Sequence, residues 1–372
     1  MKKNSAKIAI DLRLWSHPGI GRYTRELVSA LMTSRGPENF HFLGYVKDLQ
    51  LMRGQATALV SNCPVASKIY SAAEQIEILL KARNFKLLHV PHFNIPVLRS
   101  GRMVATVHDL TYLHDAKASR SRWGRPYAEF LFRRIQKLAS AVIAVSEYTK
   151  NDFLNQFPKM KPERIFVTHE AASPLFRVIE KADSLDAVRT KYGISKPFVL
   201  FVGSLKEHKN IPLLIQAVEG LRSQKKLDVE LLIAGRRDFK NRSLWEHIQE
   251  KAAFVKYLGE VPDEELAALY NLARVFVLPS LREGFGLPVL EAMACGAPVI
   301  VSSRTSLPEI AGSAGLVFDA GCVDELEGLL YNVLTDDSLR QSLSSKGLAR
   351  AAEFSWKKTA GKTLEIYDKV MR

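Results

Sequence analysis

The sequence has no run approaching the roughly 18–20 consecutive apolar residues that a membrane-spanning helix needs. Its charged N-terminus passes straight into a strand pattern, with no signal-peptide core between. Cysteine is scarce. Cys63, Cys295 and Cys322 are scattered without metal-ligand spacing, which excludes a disulfide-stapled or zinc-ribbon design and suggests a reducing, cytoplasmic setting. No Asp-X-Asp triplet occurs, so neither an essential metal nor any other bound cofactor is expected. There is no helix-turn-helix, RNA-recognition or zinc pattern, which argues against nucleic acid as a partner. No 20–50-residue repeat or low-complexity tract interrupts the chain.

What is present is an ordinary globular composition, 47% apolar over 372 residues, enough for two domains with separate cores. The boundaries read as 1–180 and 190–355, with a charged, weakly periodic stretch at 177–196 as linker. The net charge of +14 is unevenly placed. Residues 1–180 carry 27 Lys and Arg against 14 Asp and Glu, an excess of 13, while residues 181–372 carry 26 against 25. The basic half points to an acidic partner: nucleic acid, an anionic bilayer surface or a phosphorylated acceptor. Within it, 119–140 mixes Arg120, Arg122, Arg125, Arg133, Arg134 and Lys137 with Trp123, Phe130 and Phe132. This composition suits either an interfacial helix or a solvated outer face.

The most informative stretch runs from Ser280 to Glu291. It follows the apolar strand Val275–Leu278 and leads into a short helix that Gly296 and Pro298 would stop. Pro288 suits the first helical turn, where its missing N–H costs nothing. Gly284 and Gly286 allow close backbone approach. The N–H groups around Phe285, Gly286 and Leu287 would form an anion site at a helix N-terminus. Glu283 and Glu291 bracket the turn and could accept hydroxyl hydrogen bonds. N–H groups for phosphate beside carboxylates for hydroxyls fit a nucleotide sugar.

Glu283-Gly-Phe-Gly-Leu-Pro-Val-Leu-Glu291, continuing as Ala-Met-Ala-Cys-Gly-Ala-Pro-Val, resembles the signature of the family-4 retaining glycosyltransferases, and the similarity runs through nearly the whole chain. The resemblance implies the α/β GT-B fold: two Rossmann-like domains with parallel sheets facing across a cleft, and a C-terminal helix (about 356–372) crossing back to the first domain. It implies that Glu283 contacts the donor sugar, Glu291 binds the nucleotide ribose and Lys209 binds the donor phosphates. The arginine that normally accompanies that lysine is missing, since Ser204 and His208 stand at its usual places. His208 substitutes for it, or Arg13, Arg22 or Arg236 does. Gly19-Ile20-Gly21-Arg22-Tyr23, Glu74-Gln75 and the Gly-Ser-Leu…His-Lys-Asn variant resemble bacterial mannosyltransferases of surface-polysaccharide assembly, which implies GDP-mannose as donor.

Along the chain, a strand at Lys7–Leu14 precedes the loop Ser16–Gly21 and a helix beginning near Arg22, a phosphate-approach arrangement that brings Gly19 and Gly21 toward a ligand. His108 and Asp109 end a strand at Met103–Val107, where open α/β sheets place ligand groups. The family implies that His108 reaches the donor sugar; His92 and Asp109 stay between ligand contact and capping. Arg236 lies in the loop after Val229–Gly235. Strands are also expected at Phe40–Val46 and Val255–Val261, and helices at Ile211–Ser223, 323–334, 337–352 and 356–370.

The expected reaction is transfer of a hexose from a nucleoside diphosphate to a hydroxyl of a glycan or polyprenyl-linked acceptor, with retained configuration, possible docking on the inner membrane leaflet, and Lys209 and backbone N–H groups steadying the leaving diphosphate. The rivals are a transferase with another donor such as a UDP-sugar, a GT-B epimerase, a phosphorylase, a nucleic-acid-binding protein and a silent sugar-nucleotide-binding subunit.

Overall fold

The computed structural model describes residues 7–55, 60–98, 101–115, 124–239 and 241–372. The chain divides into two compact units, one of residues 1–170 with 355–372, the other of residues 171–354.

The first unit runs β1 (Ile8–Asp11), α1 (Pro18–Arg35), β2 (Phe40–Gly44), α2 (Val46–Gln55), β3 (Ser61–Pro64), α3 (Ala72–Ala82), β4 (Leu87–Val90), β5 (Arg102–Val107), α4 (Thr111–His114), α5 (Gly124–Leu138), β6 (Ala141–Ala144), α6 (Glu147–Gln156) and β7 (Ile165–Val167). The second runs α7 (Ala182–Lys191), β8 (Phe198–Val202), α8 (Ile211–Ser223), β9 (Glu230–Ala234), α9 (Arg242–Glu250), β10 (Val255–Gly259), α10 (Asp263–Leu272), β11 (Val275–Leu278), α11 (Leu287–Ala294), β12 (Val299–Ser302), α12 (Leu307–Ala311), β13 (Leu316–Phe318), α13 (Val323–Thr335) and α14 (Asp337–Ala352). The last helix, α15 (Trp356–Met371), returns to the first unit.

Each unit holds one parallel sheet, ordered β3-β2-β1-β4-β5-β6-β7 and β10-β9-β8-β11-β12-β13. Strands such as Ile8–Asp11, Phe198–Val202 and Val275–Leu278 are buried at every residue, as parallel strands covered by helices on both faces must be. The order reverses between β1 and β4 and between β8 and β11. The crevices outside the carboxyl ends of those strands are where such sheets receive ligands.

Helix α15 is tied down by polar contacts that its amphipathic pattern does not announce. Tyr367 Oη lies 2.5 Å from His89 Nδ1 on β4, and His89 Nε2 lies 2.9 Å from Thr106 Oγ1 on β5. Arg35 of α1 forks onto Asp368 at 2.8 and 2.5 Å. Burial first, and then the neighbouring His92 and His108, push the His89 imidazole down to about 3, so it stays neutral and can bridge a hydroxyl on each side.

Several expected bounds change: the strand expected over Lys7–Leu14 ends at Asp11, and the one over Val255–Val261 ends at Gly259. The helix expected near Arg22 starts at Pro18, whose fixed φ is ready-made for a first turn. The strand expected over Phe40–Val46 stops at Gly44, and Val46 opens α2. The 177–196 stretch carries α7, held to α10 by Lys191 and Tyr192 on Glu265. Among the described residues no helix is long and apolar enough to cross a membrane.

Candidate active site

In the second unit the loops after β8 and β11 meet at the reversal of strand order. The backbone N–H of Leu281 donates to the His208 carbonyl at 2.8 Å. Asn210 adopts a left-handed backbone (φ 54°), and its amide donates to Ala320 O at 2.9 Å. This fixes the turn that presents Lys209. Lys209 Nζ reaches Glu283 Oε1 at 2.5 Å, and Ser280 Oγ donates to the same oxygen at 2.7 Å.

The turn carrying Glu283 is pinned from behind. Its N–H donates to Thr305 Oγ1 at 3.0 Å, while Ser306 Oγ lies within donating distance of Glu283 O (3.1 Å) and Phe285 O (3.0 Å). Gly286 sits at φ 102°, a backbone conformation that favours glycine, and a Cβ there would press on Leu307 Cδ2 at 2.7 Å. α11 begins at the next residue, with Pro288 in its first turn. Its N-terminal dipole favours negative charge at this point. The Phe285 side chain is buried against Phe354, so only its backbone belongs to the turn surface. One turn on, Glu291 is buried and accepts from Tyr270 Oη at 3.2 Å. Thr305 and Ser306 lie more than twenty residues from the glutamate they hold, and no local pattern announced Thr305.

Of the proposed second phosphate cations, Arg236 is largely exposed after β9 in this unit and stands 3.6 Å from Glu260. His208 and Ser204 lie in the Lys209 loop. Arg13 drops out. It is buried in the first unit, where Nε and Nη2 engage Asp11 at 3.0 and 2.6 Å and Nη1 pairs with Glu74. Burial alone would raise the Asp11 carboxyl, but Arg13 and His92 outweigh it and hold it well below the usual range. This cluster explains Glu74-Gln75: Glu74 faces Arg13 and accepts from Asn94 Nδ2 at 2.8 Å, and Gln75 Oε1 accepts from Val97 N at 2.8 Å. His92 belongs to the same buried cluster, 3.3 Å from Asp11.

The first-unit glycines also read differently. Both lie in the first turn of α1. A Cβ on Gly21 would fall 2.2 Å from Trp15 O, so this glycine serves helix packing against the preceding turn; at Gly19 nothing lies within 4 Å. Asp109 Oδ1 accepts from the N–H of Thr111, the first residue of α4, at 2.7 Å. His108 Nδ1 faces Glu170 Oε1 at 3.1 Å and Nε2 faces Pro91 O at 3.0 Å. Both partners are acceptors, so both nitrogens donate. Burial opposes the imidazolium, but the Glu170 carboxylate and the Pro91 carbonyl win and raise its pKa above the ordinary value. Glu170 was not singled out from sequence, because 62 residues separate it from His108.

In the basic stretch, Trp123, Arg120 and Arg122 lie outside the described residues. Phe132 is core, not surface, while Phe130 is 47% exposed. Arg134 is engaged with Val97 O at 2.6 Å; Arg125 and Lys137 are exposed. A surface concavity of about 520 Å³ along α9, lined among others by Arg237, Phe239 and Trp245, contains none of the residues above.

Two doubly wound parallel α/β sheets, each with polar loops at its reversal point, have the architecture of the GT-B fold. Residues 186–350 match the glycosyl transferases group 1 description and residues 19–172 that of Glycosyltransferase Family 4. The chain is 32% identical over 367 residues to the O-antigen chain mannosyltransferase B of Escherichia coli, covering 94% of this chain and 95% of that one. It is 29% identical to the serotype-specific mannosyltransferase WbdA of Escherichia coli over 76% of this chain, spanning about a third (35%) of that longer protein. Among solved structures, Anabaena Alr3699/HepE in complex with UDP and glucose superposes with a TM-score of 0.78 at 17% identity, covering 98% of this chain and 100% of that one. The chain belongs to the family-4, group 1 glycosyltransferases.

Proposed function

We propose that this enzyme transfers a mannosyl group from GDP-mannose to a hydroxyl of a glycan or polyprenyl-linked acceptor with retained anomeric configuration. The observation that carries the reading is the Lys209–Glu283 pair beside the α11 N-terminus, at the reversal point of the second sheet. A departing nucleoside diphosphate gains charge as the glycosidic bond breaks. A lysine and a helix N-terminus placed for that charge lower the barrier by electrostatic preorganisation. Glu283 would then turn to the sugar hydroxyls and Glu291 to the ribose. The carboxylates are assigned to binding rather than to the flanking pair of a glycosidase. The donor phosphate is left to take the acceptor proton. Similarity to O-antigen mannosyltransferases supports mannose.

The same reading sets the first unit at the inner face of an anionic membrane. Arg125, Lys137 and Phe130 of α5 are exposed, as are Ile76, Leu80 and Leu98, and Arg134 of α5 and Gln75 of α3 both hydrogen-bond to Val97.

Calorimetric titration with GDP, UDP and ADP, followed by NMR of the product anomer from GDP-mannose, tests the proposal. Tight binding of GDP and an α-product from the α-donor are expected. Preference for UDP, or an inverted product, would overturn it.

A further inference from the structure

At the reversal point of the first sheet, outside the ends of β1 and β4, four aromatic rings form a connected group. Phe93 lies between Tyr70 and Tyr112, at centroid distances of 6.4 and 5.6 Å, and Tyr127 meets Tyr70 edge-on at 6.3 Å. Phe93 in turn stacks on buried Phe132 at 5.1 Å, which anchors the group to the core. Yet Tyr70 is 48% and Tyr112 36% exposed. Leaving such rings in water forgoes the stabilisation that burial would bring. Tyr70 also holds a left-handed backbone (φ 67°), an unfavourable conformation for an aromatic residue that persists where the surroundings impose it.

The floor beneath is polar and rigid. Tyr127 Oη donates to Asn94 Oδ1 at 3.3 Å, Asn94 donates to Glu74, and Glu74 pairs with Arg13, which Asp11 also holds. Two buried carboxylates neutralise that arginine, so the floor offers no free cation and does not suit a phosphate. Flat apolar faces that carry phenolic hydroxyls, over a floor whose own polar groups are buried and already paired, suit a pyranose, whose axial C–H face is apolar and whose rim is hydroxylated.

We propose that Tyr70 and Tyr112 form the stacking platform for a sugar ring of the acceptor glycan. The proposal rests on the transferase reading only for the identity of that sugar; the diphosphate-directed groups belong to the second unit, which leaves this platform to the acceptor.

The test uses the full chain and α-linked mannobiose as probe, followed by saturation-transfer NMR, with a parallel calorimetric GDP titration. Wild type should transfer magnetisation to the ring C–H protons. Tyr70→Ala and Tyr112→Ala should each weaken mannobiose binding on the order of tenfold, about 1.4 kcal/mol, with GDP affinity unchanged. Tyr70→Phe, which keeps the ring, should bind as wild type. If Tyr70→Ala does not fold, Tyr112→Ala decides alone. Absence of mannobiose contact in wild type, or wild-type affinity in the folded alanine variants, overturns the proposal. A chain that binds mannobiose but not GDP would instead overturn the donor reading and leave this one intact.

Discussion

Lys209 and Glu283, 74 residues apart in sequence, close on each other at 2.5 Å across the two loops that flank the strand reversal of the second sheet. Neither side chain is fully buried, at 13% and 14% exposed, so each can exchange its partner for a ligand. An incoming diphosphate would take Lys209 and release Glu283 to accept hydroxyls. Lys209→Ala should therefore lower kcat as well as donor affinity, since the leaving-group charge grows between the bound donor and the transition state. Transfer rate at saturating donor is the measurement; a change confined to KM would reassign the charge to another residue.

Glu291 should hold the ribose. Glu291→Ala is expected to weaken binding of free GDP by roughly 1.5–3 kcal/mol, the range for hydrogen bonds to a charged group. Because Tyr270 Oη also loses its acceptor, the melting temperature must be followed in parallel. Unchanged GDP affinity in a folded variant would end the assignment.

The two glycines of α1 should behave oppositely. Gly21→Ala drives a methyl into the Trp15 carbonyl and should cost about 1–3 kcal/mol, as overpacking does. Gly19→Ala meets open space in a helix and should be neutral or stabilise by up to roughly 1 kcal/mol. Urea unfolding of the pair decides. Equal loss in both would mean that neither environment is as described.

His108 should contribute a pH-dependent stability of a definite sign. Its folded pKa is raised, so the contribution is complete below the unfolded value near 6.5 and is lost as pH rises through the higher folded value. Glu170→Gln should remove most of this dependence. Chemical denaturation between pH 6 and about 8.5, a window that brackets the histidine range, checks it; a wild type equally stable across that window would exclude the pairing.

Membrane attachment should be reversible and salt-sensitive, since each basic residue near an anionic surface contributes about 1 kcal/mol within a Debye length. Replacing Arg120, Arg122 and Arg125 together by Gln, or Phe130 by Ser, should release the protein from phosphatidylglycerol vesicles without altering GDP affinity. Wild type that fails to co-sediment even at low salt would remove the membrane from the account.

The sequence by itself determined the two-unit α/β design, the placement of α8, α11 and the last three helices, and the turn from Glu283 to Glu291. These follow from local rules: buried parallel strands read as apolar runs, proline opens a helix, and glycine stands where the backbone must turn left-handed. Tertiary structure alone decided which charges are available. Arg13 looked as free as Arg236 until β1, α3 and the loop after β4 came together and enclosed it between Asp11 and Glu74. It also paired His108 with Glu170, pinned Glu283 with Thr305, and set Gly21 against the Trp15 carbonyl. A side chain's charge state and reach depend on what surrounds it in space, and those neighbours arrive from strands and loops tens of residues away, at separations on which helix and strand periodicity carries no information.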